Sequence, residues 1–203
     1  MVYRDYRNSA MRAVWALIAA NIIIYLITSF IRGGSPLGLS NAVVTEFGVG
    51  RSGHIWGILS AMFLHDGIYH ILGNMLMLYI YGAYLSHIIS EAKILALYFI
   101  GGLIGNGLFL LIAPSYSFAV GASGAIFALG GALAVMRPRV KIMFFFVPMD
   151  MWVYILISGI ILGIIPALTQ SDIGWQAHIG GLVTGLAAGW YFRRGERNRG
   201  IYY

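Results

Sequence analysis

The chain has 203 residues, of which 60% are hydrophobic and 10% charged, with a mean hydropathy of +0.82. Soluble domains carry roughly 25% charged residues, so this composition excludes a water-soluble globular protein and indicates an integral membrane protein without a large soluble domain. The lack of cysteine excludes disulfides and thiolate metal sites, and the net charge of +6 would suit nucleic acid only if the cations formed a patch, which they do not.

Crossing the hydrocarbon core takes about 20 apolar residues. Six runs qualify: Ala13–Ile31, Ile68–Leu85, Ile94–Ala113, Ala119–Met136, Met151–Leu168 and Ile173–Phe192. In lipid every backbone polar group needs an internal partner, and no alternating strand pattern is present, so the runs are helices. The expectation is an all-α, six-span polytopic bundle forming a single domain over residues 1–203, without repeats. The first run is long enough to span and lacks a small-residue cleavage site, so it does not read as a cleaved signal peptide.

An even number of spans puts both termini on one side. That side holds Arg4, Arg7, Arg12, Lys93, Arg137, Arg139, Lys141, Arg193, Arg194, Arg197 and Arg199, or 11 of the 13 basic residues, against Arg32 and Arg51 on the other. The positive-inside rule then places both termini in the cytoplasm of a multi-pass plasma-membrane protein. The terminal "RRGERNR" reads as a membrane-surface anchor, with no nucleic acid as partner. The first external connection, from Arg32 to about His65, is too broken to span and too apolar for a free linker. A re-entrant or interfacial structure packed on the bundle is expected.

An ionisable residue inside a span is a functional hypothesis by default. The spans hold no central carboxylate but do hold Ser123, His178, His70 and Asn74. At about 1.5 Å rise per residue, Ser123 lies roughly 21 Å above Arg137, His178 roughly 22 Å above Arg193, and Asn74 and His70 roughly 20 and 25 Å above His87. Three helices thus bring polar groups to one layer, about 10 Å below the outer surface of a core about 30 Å thick. His70 and Asn74 are four apart and share a face. Ser123 follows Pro114 and the polar "SYS", near the start of its helix, where free N–H groups and the positive dipole end favour an oxyanion. The last span carries Gly181, Gly185 and Gly189 at four-residue steps, and the fourth a matching Gly124, Ala128 and Ala132. Small residues at that spacing let two backbones approach closely, which would set Ser123 and His178 at the same end of one contact.

Each feature alone has a plainer reading. "GASG" arises in ordinary glycine-rich helices, GxxxG is usually packing, and a lone histidine can bond a neighbouring carbonyl. His54 and His87 read as interfacial, and Asn21 and Asn106 as interhelical hydrogen bonds. A metal is a rival for the histidines, but His65 and His70 are five apart, which stacks poorly on one helix face, and no Cys, Asp or Glu joins them at depth. No metal and no cofactor is therefore expected.

Three motifs carry a resemblance over about His54 to Trp190: "HDGIYHILGNM" with His65, His70 and Asn74; "GASGAIF" with Gly121, Ser123 and Gly124; and "AHIGGLVTG" with His178, Gly181 and Gly185. Their order and spans resemble the minimal six-helix form of the rhomboid family of intramembrane serine proteases. Two departures stand out. The family's Trp-Arg pair in the first external loop is Trp56-Gly57 here, and the Tyr that many members place four residues after the serine is Phe127, which keeps the ring that packs on the histidine.

The resemblance implies a Ser-His dyad with Ser123 as nucleophile and His178 as general base and then acid. It implies an oxyanion met by the Ser123 backbone N–H with His70 and Asn74, and packing support from Gly121, Gly124, Phe127, Gly181 and Gly185. The substrates implied are transmembrane segments of other proteins in the lipid bilayer, cut near the outer face after a small residue. Lateral access is expected; Pro166 either loosens the outer end of the fifth span into a gate or simply ends the helix at "PALTQSD". Two other functions stay open: a catalytically inactive rhomboid-like protein that binds clients, and a small transporter using the polar layer as its path.

Overall fold

A computed structural model of the chain describes residues 2–30, 34–144, 146–169 and 174–198. The expected span ends at Ile31 and Ile173, the external Arg32 and the terminal Arg199 lie outside these residues. The elements in chain order are α1 (Val2–Ser29), α2 (Asn41–Phe47), β1 (Val49–Gly50), α3 (Gly57–Ser60), α4 (Ile68–Ser86), α5 (Glu91–Ile112), β2 (Phe118–Ala119), α6 (Ser123–Met136), β3 (Lys141–Phe144), β4 (Val147–Asp150), α7 (Met151–Gly159), α8 (Ile165–Thr169) and α9 (Trp175–Asn198). A 3₁₀ turn, Ala61–Phe63, follows α3, and a π-helical turn, Ile160–Ile164, joins α7 to α8.

Four of these helices are long and apolar enough to cross a membrane: Ala10–Ser29 within α1, Ile68–Ser86, Glu91–Ile112, and the continuous Met151–Thr169. Their outward faces carry Trp15, Ile23, Leu26, Leu72, Leu76, Ile100, Ile104 and Leu156, all exposed, as a lipid-facing surface requires. The two remaining spans are the ones that carry Ser123 and His178. Helix α6 has only 14 residues. Helix α9 has 24 and interrupts its apolar residues with Gln176, His178, Thr184 and several glycines. Neither needs a full apolar coat, because α6 is buried on all sides at the centre of the bundle and α9 packs along it and along α5.

Small residues make this packing possible. A Cβ on Gly181 would collide with the Gly124 carbonyl oxygen, one on Gly185 with the Ala128 carbonyl, and one on Gly189 would stand 2.7 Å from the Ala132 carbonyl. Gly101 abuts Ala128, and Gly105 abuts the Ala177 carbonyl, so α5, α6 and α9 interlock backbone to backbone. Arg193 donates to the Val135 carbonyl at 3.1 Å, tying the C-terminal end of α6 to α9. Of the span asparagines outside the polar layer, Asn21 reaches Tyr98 Oη at 3.1 Å and Asn106 reaches the Ile58 carbonyl at 2.9 Å.

The connection between α1 and α4 folds into α2, β1, α3 and the 3₁₀ turn, which cap the bundle by packing on α1, α5 and α6. Ser40 caps α2 by accepting from the Val43 N–H. Two features differ from the sequence reading. Residues 119–122 are not helical, so the fourth helix starts at Ser123 rather than Ala119. β2 pairs antiparallel with β1, Val49 opposite Ala119 and Gly50 opposite Phe118, and Gly121 has φ of +128°, which ends any helix there. On the opposite side, β3 and β4 form a short hairpin between the fourth and fifth spans, closed by a Lys141–Asp150 ion pair of 2.7 Å.

Candidate active site

Ser123 is the first residue of α6, so its own N–H is among those that a helix start leaves without an intrahelical partner. The approach to it is fixed by backbone contacts: the β1–β2 pairing and a 2.8 Å bond from the Gly121 N–H to the Ala61 carbonyl in the 3₁₀ turn. His178 sits one turn into α9, buried, and its Nε2 lies 2.7 Å from Ser123 Oγ. Its Nδ1 lies 2.6 Å from the Leu162 carbonyl, which can only accept, so Nδ1 carries the proton and Nε2 is the acceptor for the Ser123 hydroxyl. The Phe127 ring stacks on the imidazole at 4.9 Å between centroids and 25° between planes.

His70 and Asn74 line the same cavity from α4. The Asp66 N–H donates to His70 Nδ1 at 3.3 Å, which leaves the His70 proton on Nε2. A Cβ added to Gly121 would lie 2.8 Å from that Nε2 and 3.6 Å from Ser123 Oγ, so both groups flank one small volume that only glycine leaves open. Asn74 is buried, and its Nδ2 has no hydrogen-bond partner. The cavity has a volume of about 650 Å³ and also receives Tyr69, Gly73, Met77, Tyr81 and Tyr154. Asp66 is the one carboxylate among its described lining residues, and its Oδ1 accepts from the Leu39 N–H at 2.8 Å.

The structure thus brings Ser123, His178, His70, Asn74 and Phe127 to one cavity, with Gly121, Gly124, Gly181 and Gly185 at the close approaches around it. His65 is fully buried beside His70, ring centroids 5.1 Å apart, and neither of its ring nitrogens has a partner. Burial, aided by His70 and opposed by the Phe63 backbone, pushes its pKa down to about 3. His54 stacks on Trp56 at 4.2 Å and pairs with Glu46 at 3.5 Å in the external cap.

Two site features escaped the sequence reading. Gly57 cannot be an arginine here, because its Cβ would collide with the Gly48 carbonyl. The anchoring cation is instead Arg51, whose guanidinium donates to the Leu110 and Leu111 carbonyls at the end of α5. Its being one of only two basic residues on the outer side was the available signal. The Leu162 carbonyl left no signal of residue type, since any residue supplies a carbonyl.

Fold and site together define a polytopic helical membrane protein with an alcohol and an imidazole in hydrogen-bond contact inside a cavity walled by its helices. Residues 52–195 match the Rhomboid domain, and the chain belongs to the rhomboid family. It is 30% identical over 145 residues to Rhomboid protein 1, mitochondrial, of Saccharomyces cerevisiae, covering 68% of this chain and 42% of that one. It is 28% identical over 188 residues to Rhomboid protease GluP of Bacillus subtilis (90% and 35%) and 26% identical over 224 residues to RHOMBOID-like protein 1 of Arabidopsis thaliana (94% and 56%). The chain therefore spans about a third to a little over half the length of these relatives.

Proposed function

We propose that the chain is an intramembrane serine endopeptidase that cleaves transmembrane segments of other membrane proteins near the outer face. The observation that carries this reading is the 2.7 Å contact between Ser123 Oγ and His178 Nε2, made across two helices in a cavity large enough to admit an extended peptide. Ser123 attacks the peptide carbonyl as His178 takes its proton through Nε2, and the imidazolium then protonates the leaving amine. The Ser123 N–H, His70 Nε2–H and Asn74 Nδ2–H receive the oxyanion. The unpartnered Asn74 amide supports this, since a buried donor left open costs about 1–3 kcal/mol unless something fills it. A substrate helix must unwind to present its backbone, so glycine or proline near the cut favours cleavage.

The charge distribution supports both termini in the cytoplasm and the plasma membrane as location. Residues 1–203 act as one domain, with the lipid bilayer and transmembrane substrates as partners. Purified protein should cut a labelled model transmembrane substrate, Ser123→Ala should not, and a fluorophosphonate probe should label Ser123 in wild type but not in His178→Ala. An intact substrate with wild type, under conditions where the fold is retained, leaves a client-binding protein as the reading.

A further inference from the structure

Pro166 lies four residues after Leu162, in the outer half of the fifth span. In an α-helix the Leu162 carbonyl would accept from the N–H of residue 166, and proline has none. The helix adjusts around this gap with a π-helical turn, Ile160–Ile164, in which the Ile165 N–H returns to the Ile160 carbonyl, five residues back. The carbonyl that loses its α-helical donor is the one that His178 Nδ1 reaches at 2.6 Å. Gly163, beside Leu162, faces α9: a Cβ there would make ordinary contact with the Ile179 side chain at 3.5 Å.

We propose that Pro166 is a positioning residue for the Ser123–His178 pair, acting by keeping the Leu162 carbonyl free to accept from Nδ1–H. This rests on the proposed protease reading for its catalytic consequence, although the tautomer it predicts does not. The Nδ1–H to Leu162 bond holds the imidazole in the tautomer whose Nε2 can take the serine proton. Phe127 stacking restrains the plane of the ring but cannot choose between its two nitrogens. The other tautomer puts a proton on Nε2, where two donors would face each other and Ser123 would lose its base. In soluble serine proteases the wrong tautomer lowers kcat by about 10⁴. A neutral carbonyl is a weaker determinant than a carboxylate, so losing its exclusive use should lower kcat by about 10- to 100-fold, within the range that general-base catalysis contributes.

The test is Pro166→Ala in the full chain in detergent micelles. The substitution supplies an N–H that competes for Leu162 and repairs the helix, so it should not impair folding. ¹⁵N-histidine spectra, with His178 assigned by difference, should show Nδ1 protonated and Nε2 unprotonated in wild type, and a rise of the Nε2–H form in Pro166→Ala. The kcat on a transmembrane substrate should fall by about 10- to 100-fold with KM within about twofold. Ile165→Ala trims an exposed side chain on the same turn without adding an N–H at 166, and it should keep both tautomer and kcat. Wild-type tautomer and kcat in Pro166→Ala would overturn the proposal, as would equal losses in Ile165→Ala or a predominantly Nε2–H wild type. A wild type that is Nδ1-protonated yet cleaves nothing and binds no probe would sink the protease reading and leave the positioning intact.

Discussion

The contact between α6 and α9 should be intolerant of a single methyl group at Gly181. A Cβ there collides with the Gly124 carbonyl oxygen, and ordinary contact requires the two helices to part by on the order of 1 Å. Overpacking of this kind costs about 1–3 kcal/mol of stability. Its effect on chemistry is larger, because Gly124 adjoins Ser123 and Gly181 lies one turn from His178. A parting of about 1 Å takes the 2.7 Å Oγ–Nε2 distance to about 3.7 Å, beyond hydrogen-bond range. A displacement of that size costs about 10²-fold in rate. Gly181→Ala should therefore lower kcat about 100-fold on a fluorogenic transmembrane substrate while still unfolding cooperatively in detergent. Gly107→Ala on α5 is the matched control: no atom lies within 4 Å of its would-be Cβ, so it should keep full activity and gain up to about 1 kcal/mol from helix propensity. Full activity in Gly181→Ala would refute the reasoning, and so would equal inactivation by Gly107→Ala.

Asn74→Ala should lower kcat by less than the roughly 10²–10³ seen for single oxyanion donors elsewhere, since the Ser123 N–H and His70 remain; a loss as large as that of Ser123→Ala would assign Asn74 another role. Arg51→Met should free the end of α5 and the external cap, seen as faster limited proteolysis between α5 and β2 and a stability loss of about 0.3–1 kcal/mol. Arg51→Lys should restore this only in part, because an ammonium lacks the planar fork that meets two carbonyls; full rescue would argue for charge alone. His65 is neutral in the folded protein down to about pH 3, whereas in the unfolded chain it takes up a proton near pH 6.5. Its contribution to stability is therefore complete above pH 6.5 and is lost as pH falls from there toward 3, at about 1.4 kcal/mol per pH unit. Unfolding midpoints at pH 7 and pH 5 should differ more for wild type than for His65→Gln, and equal differences would contradict the burial argument.

The parts of the molecule legible in the sequence are those written in residue type. Apolar runs located the long helices, and arithmetic at one rise per residue put Ser123 and His178 at one level, where they touch. The GxxxG series of α9 predicted its partner correctly because glycine against alanine is a pattern of side-chain absence. What stayed illegible is written in the backbone. Nothing in "SFAVGAS" announces that Phe118–Ala119 pairs with Val49–Gly50 and delays the helix to Ser123; that requires knowing where the external cap folds. His65 closed the first connection in the sequence, just ahead of α4, but its packing against His70 was not legible, because burial of a histidine depends on tertiary neighbours. Gly57 stood only as a departure from the family's Trp-Arg pair; that Arg51, 6 positions earlier in the chain, reaches the end of α5 was not legible.

Among the described residues no carboxylate bonds to Ser123 or His178, and the medium accounts for this. A carboxylate buried among these helices would need its charge compensated, at a cost of several kcal/mol before any benefit to catalysis. A main-chain carbonyl is neutral and already present in every turn, and it needs only to be released from its own helix. Pro166 releases one at the level of His178. The arrangement divides the site between two supports. The proposed oxyanion donors stand on α4 and at the start of α6, while the proposed base, His178, is held by the fifth span. Displacing the outer end of that span would strip His178 Nδ1 of its partner and leave His70, Asn74 and the Ser123 N–H where they are. Pro166 is then poorly suited to serve only as a loose gate, since the turn it reshapes also holds the imidazole. Cross-linking the outer ends of α4 and the fifth span should separate the two roles. If only the base matters there, the cross-linked protein keeps both its rate of fluorophosphonate labelling and its turnover of transmembrane substrates; if the span also admits substrate, labelling is kept and turnover of bulky transmembrane substrates is lost. If labelling falls as well, the closed position of the span is not the one that aligns His178, and the division of the site argued here is wrong.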